Sequence, residues 1–90
     1  MNVQESLSLL GKKVQDKVSG YEGIVTSICL DLYGCVQADV RQKGIKEDGK
    51  LFEGYWFDVN RLKVIGEKPV MDQPSFEYEK GSSVKSVMRG

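Results

Sequence analysis

The stretch from Gly23 to Gln42 decides the fold class. Gly23-Ile24-Val25-Thr26-Ser27-Ile28-Cys29-Leu30-Asp31-Leu32 is a long β-branched run with apolar residues at both parities, and Cys35-Val36-Gln37-Ala38-Asp39-Val40-Arg41-Gln42 alternates Val36, Ala38 and Val40 with polar neighbours. Period-two alternation is the mark of a strand, and the short glycine-containing turn Tyr33-Gly34 between the two runs makes a hairpin. Apolar residues at both parities imply burial on both sides over part of the first strand, as happens when a strand bends and serves both halves of a small barrel. With the turn confined to Tyr33-Gly34, Cys29 falls opposite Ala38, which removes a disulfide with Cys35 on geometric grounds.

The flanks supply three more short strands. Lys13 to Val18 alternates, with Val14, Asp16 and Val18 on one face, and Ser19-Gly20-Tyr21-Glu22-Gly23 then places two glycines three apart, which suits a loop. Lys43 to Gly54 is polar and holds three glycines, so it reads as a solvated loop or long hairpin end. Tyr55-Trp56-Phe57-Asp58-Val59 resumes the strand pattern, Asn60-Arg61-Leu62 breaks it as one 3₁₀ turn, and Lys63-Val64-Ile65 closes with a last strand. Five short strands within about 55 residues, without a helical period, predict an all-β fold: a small five-stranded SH3-like barrel, closed so as to cover its own edges. Val14, Val18, Ile24, Ile28, Leu30, Val36, Ala38, Val40, Phe57, Val59, Leu62 and Val64 are the expected inward set. The boundaries follow: residues 1–11 are an N-terminal segment covering one barrel end, 12–66 the barrel, and 67–90 a flexible tail. The tail carries Pro69, Pro74 and scattered valines without either period. The competing reading of the tail is an arm that orders on a partner through Phe76 and Tyr78, or through Val84, Val87 and Met88.

Composition narrows the chemistry. Thirteen basic and thirteen acidic residues cancel, both along the barrel and along the tail, so no region offers the cation density that grips a phosphate backbone. Histidine is absent, and the two cysteines Cys29 and Cys35 are too few for a structural zinc site. No metal, no cofactor and no catalytic residue is expected. The N-terminus has no export-signal pattern, and no apolar run approaches the ~18 residues of a spanning helix. These features predict a reduced, cytoplasmic protein without a membrane association.

Three phrases carry a resemblance: Gly11 to Thr26, Asp31-Leu32-Tyr33-Gly34-Cys35-Val36-Gln37, and Trp56-Phe57-Asp58-Val59-Asn60-Arg61-Leu62. In that order they resemble a family of short, uncharacterised bacteriophage and prophage proteins, over about Gly11 to Ile65. The first phrase is also similar to a KOW-type opening, in which strand, glycine loop and strand begin a barrel. The phage resemblance implies a bacterial host cell as the setting and brings no activity or binding residues. The KOW resemblance implies contact with RNA or with ribosomal and polymerase surfaces, although this chain lacks the basic excess usual there.

The candidate sites follow from position. Asp16 shares parity with Val14, so its carboxylate points inward and needs donors, which the amides of the Ser19 to Gly23 loop can supply; it is read as a structural loop anchor. Tyr21, Tyr33, Tyr55 and Trp56 are the candidate partner-binding aromatics, since exposed rings beside an SH3-like loop form a peptide groove and can also stack bases. The alternative is that they cover the barrel ends. Arg61, and with it Arg41, can present a planar donor to a phosphate or carboxylate, or pair with Asp58 or Asp39.

The leading expectation is a non-enzymatic accessory module that contacts a host protein or peptide through the aromatic loop face. KOW-like nucleic-acid binding is one alternative. The other is a counter-defence protein that sequesters a nucleotide or blocks a host enzyme.

Overall fold

Five strands form one antiparallel sheet: β1 (Lys13–Asp16), β2 (Glu22–Leu30), β3 (Val36–Arg41), β4 (Gly54–Asp58) and β5 (Leu62–Val64), in the order β4-β3-β2-β1-β5. The coordinates are a computed structural model and describe residues 2–76. A 3₁₀ turn, Val59–Arg61, joins β4 directly to β5. Three residues span only about 6 Å in that form, so the sheet has to curl until its two outer strands meet at this end. They meet without pairing. The closed cylinder expected from the sequence is therefore open: β5 is three residues long and pairs only with β1, and β4 pairs only with β3. Among the described residues both keep a free edge.

The inner face buries Val14, Val25, Ala38, Val40, Val59 and Leu62, joined by Leu9 from the N-terminal segment. That segment begins with a five-residue helix, α1 (Val3–Leu7). Asn2 and Glu5 close a capping box at its start: the Glu5 amide donates to Asn2 Oδ1 at 2.8 Å and the Asn2 amide to Glu5 Oε1 at 3.0 Å. Past the helix, the chain drops Leu9 into the core.

The inward set differs from expectation in four places, each with a local cause. In β2 the partners Val25↔Val40 and Ser27↔Asp39 leave Thr26 as the extra residue of a β-bulge. The bulge reverses which parity faces inward, so Val25 is buried and Ile24 only half-buried before it, whereas Ile28 packs against the core after it. Apolar residues at both parities thus serve one face twice rather than two faces at once. Val18 is 76% exposed because β1 ends at Asp16, whose carbonyl accepts the Gly20 amide at 2.8 Å and turns the chain. Leu30 lies at the far end of the β2–β3 hairpin, beyond the reach of β1 and β4, and Val64 lies on an edge strand; both are exposed.

The β2–β3 turn is also one residue longer than read. Asp31 faces Cys35, its amide donating to the Cys35 carbonyl at 3.1 Å, and its carboxylate accepts the amides of Tyr33 and Cys35 at 2.9 Å each. Gly34, at φ 89°, supplies the left-handed residue such a three-residue turn requires. Cys29 consequently faces Gln37 instead of Ala38, and both cysteines are free and exposed.

Residues 67–76 run back along the N-terminal segment. The Val70 amide donates to the Gly11 carbonyl at 2.8 Å, and the Gln73 side chain donates to the carbonyls of Leu7 and Leu10 at 2.9 and 3.2 Å. Phe76 is exposed, while Tyr78, Val84, Val87 and Met88 lie outside the described residues. Among the described residues no helix is long and apolar enough to cross a membrane.

Candidate functional site

Asp16 is the residue around which the site is built. Alternation with Val14 turns its side chain inward, where it is fully buried. Four donors meet it: Arg61 Nε at 2.8 Å, Arg61 Nη2 at 2.6 Å, the Ser19 amide at 2.9 Å and the Ser19 hydroxyl. The bidentate Arg61 guanidinium holds the Asp16 carboxyl well below the ordinary carboxylate range; burial opposes this, and the Ser19 hydroxyl and amide add to it. Asp16 is thereby tied to the loop through Ser19. It also fixes an arginine 45 residues away, which the sequence offered either as a donor to a ligand or as a partner of Asp58 or Asp39.

Arg61 in turn organises a row of rings. Its guanidinium carbon lies 5.4 Å from the centroid of Phe57. Phe57 stacks on Tyr21 at 5.6 Å with an interplanar angle of 26°, and Tyr21 meets Tyr55 edge-on at 5.5 Å and 83°. Burial, followed by the neighbouring Tyr55, raises the Tyr21 phenol above its ordinary value, so its hydroxyl is neutral at physiological pH.

These side chains, with Ser19, Gly20 and Trp56, line an open groove of about 650 Å³. Two different folding rules bring the walls together. The loop after β1 carries Tyr21 and is tied by Asp16; β4 carries Tyr55 and Phe57 on the inner-face parity opposite Val40 and Ala38. Trp56 alternates to the other face and still lines the groove because β4 is an edge strand. Tyr55 and Trp56 are 55% and 50% exposed, so both rings leave the interior. Four of the five candidate partner-binding residues, Tyr21, Tyr55, Trp56 and Arg61, thus share one groove. Tyr33 does not: it sits at the tip of the β2–β3 turn, 88% exposed and away from the others. Phe57 belongs to the groove although its parity reads as core.

Arg41 pairs with Asp39 at 3.3 Å on the other face of β3. Asp39 is buried opposite Trp56, and its Oδ1 has no hydrogen-bond partner among the described residues. It fits there because Gly54 has no side chain: a Cβ at that position would overlap Asp39 Oδ1 and stand 2.6 Å from its Cγ. Cys35 is a poor nucleophile, since the adjacent Asp31 charge pushes its thiol up.

A larger cavity of about 720 Å³ lies elsewhere, between β2, the N-terminal segment and residues 70–76, walled by Leu7, Leu10, Ile24, Ile28, Val70, Met71 and Phe76 among others. Sequence reading missed it because its walls come from both sides of the barrel segment. It offers few polar groups to orient a ligand, whereas the aromatic groove combines rings, hydroxyls and a fixed guanidinium.

Comparison of the chain with protein-family models, with curated proteins and with solved structures returns no match.

Proposed function

We propose that this chain is a non-enzymatic accessory binding module of phage or prophage type, acting in the bacterial cytoplasm, whose aromatic groove takes an extended segment of a host protein. The observation that carries this reading is the convergence of Tyr21, Tyr55, Trp56 and Phe57 beside a guanidinium that Asp16 holds rigid. Rings fixed in advance give contact area at little ordering cost, and an exposed aromatic cluster on a small soluble domain is a usual signature of protein recognition. An extended peptide suits such a groove, since its backbone carbonyls can use the tyrosine hydroxyls and Arg61 while apolar side chains lie on the rings.

The charge arrangement favours a peptide over a nucleic acid or nucleotide. Among the described residues Arg61 is the only cation lining the groove, and two of its donors are committed to Asp16. A phosphate backbone needs several free cations to bind at physiological salt.

The test is selection from a peptide-display library on the immobilised chain, followed by titration of the selected peptides into Tyr55→Ala, Tyr21→Ala and Tyr33→Ser variants. Binding that survives in Tyr33→Ser and falls at least tenfold in the other two supports the groove. Peptides that bind all variants alike, or a library that yields no binder while RNA is retained at low salt, would overturn the proposal.

A further inference from the structure

Among the described residues, β4 is an uncovered sheet edge. Edge strands of soluble proteins are usually blunted by lysine, proline, a bulge or a covering segment, and β4, Gly54-Tyr55-Trp56-Phe57-Asp58, has neither lysine nor proline and pairs regularly with β3. The other edge, β5, is shorter and carries Lys63 at its centre.

The direction of the backbone groups on β4 follows from the ladders. Val25 exchanges hydrogen bonds with the β1 side: its amide donates to the Lys12 carbonyl at 3.1 Å and its carbonyl accepts the Gly11 amide at 2.8 Å. Its partner across β2–β3, Val40, must then direct its own backbone groups to β4, where it meets Tyr55. Tyr55 and Phe57 are therefore bonded to β3, and Gly54, Trp56 and Asp58 point their amides and carbonyls outward. Among the described residues, no amide or carbonyl outside the sheet meets those of Gly54 and Trp56, while the Asp58 carbonyl opens the 3₁₀ turn.

We infer that β4 pairs with β4 of a second copy of this chain, antiparallel about a two-fold axis through Trp56. That register matches every outward residue: Trp56 faces Trp56, and Gly54 faces Asp58 of the other copy. Tyr55 comes opposite Phe57 on one side of the strand, and the two indoles meet on the other. Aromatic cross-strand pairs of this kind stabilise a ladder. The only charge on the strand, Asp58, falls opposite a glycine, so no like charges are opposed. A two-fold strand pair of this sort is self-complementary and closes, which is what a symmetric dimer requires. The strand pair shares Tyr55, Trp56 and Phe57 with the peptide groove, but it is read by mass and amide exchange without any peptide, so it can fail while the peptide reading stands.

Sedimentation equilibrium of the full chain, from micromolar to millimolar concentration, should show the mass rising from 10.1 kDa to twice that. Over the same series the Trp56 amide should exchange with solvent progressively more slowly, while amides at the β5 edge do not change. Trp56→Lys, which sets two ammonium groups against each other at the axis, should hold the monomer mass with an unchanged circular dichroism spectrum; Lys63→Glu should still dimerise. A monomer at every concentration, a Trp56 amide whose exchange ignores concentration, or a dimer that persists in folded Trp56→Lys would each overturn the inference. Should Trp56→Lys fail to fold, the exchange series on the unaltered chain decides alone.

Discussion

Replacing Gly54 by alanine should be harmful in the native background and harmless once Asp39 is gone. The new Cβ would overlap Asp39 Oδ1 and stand 2.6 Å from its Cγ and 2.9 Å from Arg41 Cγ. All three obstacles are side-chain atoms, so the strands need not part; Asp39 has to leave its buried place. Overpacking of this kind costs about 1–3 kcal/mol. Asp39→Ala alone should be neutral to stabilising. It removes a buried carboxylate oxygen without a hydrogen bond, a defect of about 1–3 kcal/mol, against the loss of an Arg41 contact whose guanidinium is 45% exposed and which is worth under about 1 kcal/mol. In the Asp39→Ala background, alanine at 54 meets no carboxylate and only Arg41 Cγ has to give, a contact that the ~0.5–1 kcal/mol gain of alanine over glycine in a strand offsets. The double-mutant cycle should therefore close with a coupling of about 2–3 kcal/mol, at the upper end for residues in contact. Urea unfolding followed by fluorescence of Trp56, the single tryptophan, and by circular dichroism measures it. Equal costs for Gly54→Ala in the two backgrounds would refute the reasoning, because the glycine would then be required for something other than room for Asp39.

Gly23→Ala should destabilise more than Gly54→Ala and resist rescue, since its Cβ would stand 2.5 Å from the Arg41 carbonyl oxygen and 2.7 Å from the carbonyl carbon, both in the β3 backbone; melting curves rank the two variants. Val40→Ala, at a fully buried site, should cost about 2 kcal/mol, and Val18→Ala, which is mostly exposed, less than about 0.5 kcal/mol; urea midpoints separate them. Because Asp16 ionises more readily folded than unfolded, its contribution is complete above the ordinary carboxylate range and is lost as pH falls below about 4. Asp16→Asn should lower stability at neutral pH and flatten the acid limb of the stability–pH curve. A limb as steep as that of the parent would place the acid sensitivity elsewhere.

What could be read in advance was local, and what could not was set by meetings between distant segments. Val36, Ala38 and Val40 announce β3 and its inner face because one regular strand needs only its own alternation. The same logic fails in β2, where one additional residue at Thr26 reverses the inward parity and nothing in Thr26 itself says so. Asp16 was legible as an inward carboxylate wanting donors, and Ser19 as a nearby source. Arg61 as the main donor was not, since only the curl of the sheet brings the 3₁₀ turn back to β1. Three groove aromatics could be named from exposure arguments, yet Tyr33 was grouped with them because turn residues look alike until the fold sends one to the opposite end. Phe57 was read as core alone: it does pack against the core, and because β4 is an edge strand its ring lines the groove as well.

The Asp16–Arg61 clasp fixes when the groove can exist. One wall belongs to the loop after β1 and the other to β4 and the turn that follows, and they are joined by a contact spanning half the sequence. A folding chain that has assembled β1 to β4 but not yet seated the turn holds Tyr55 and Trp56 on a strand with no opposite wall. A complete groove is thereby reserved for the finished molecule, and damage at Arg61 should open it while leaving most of the sheet standing.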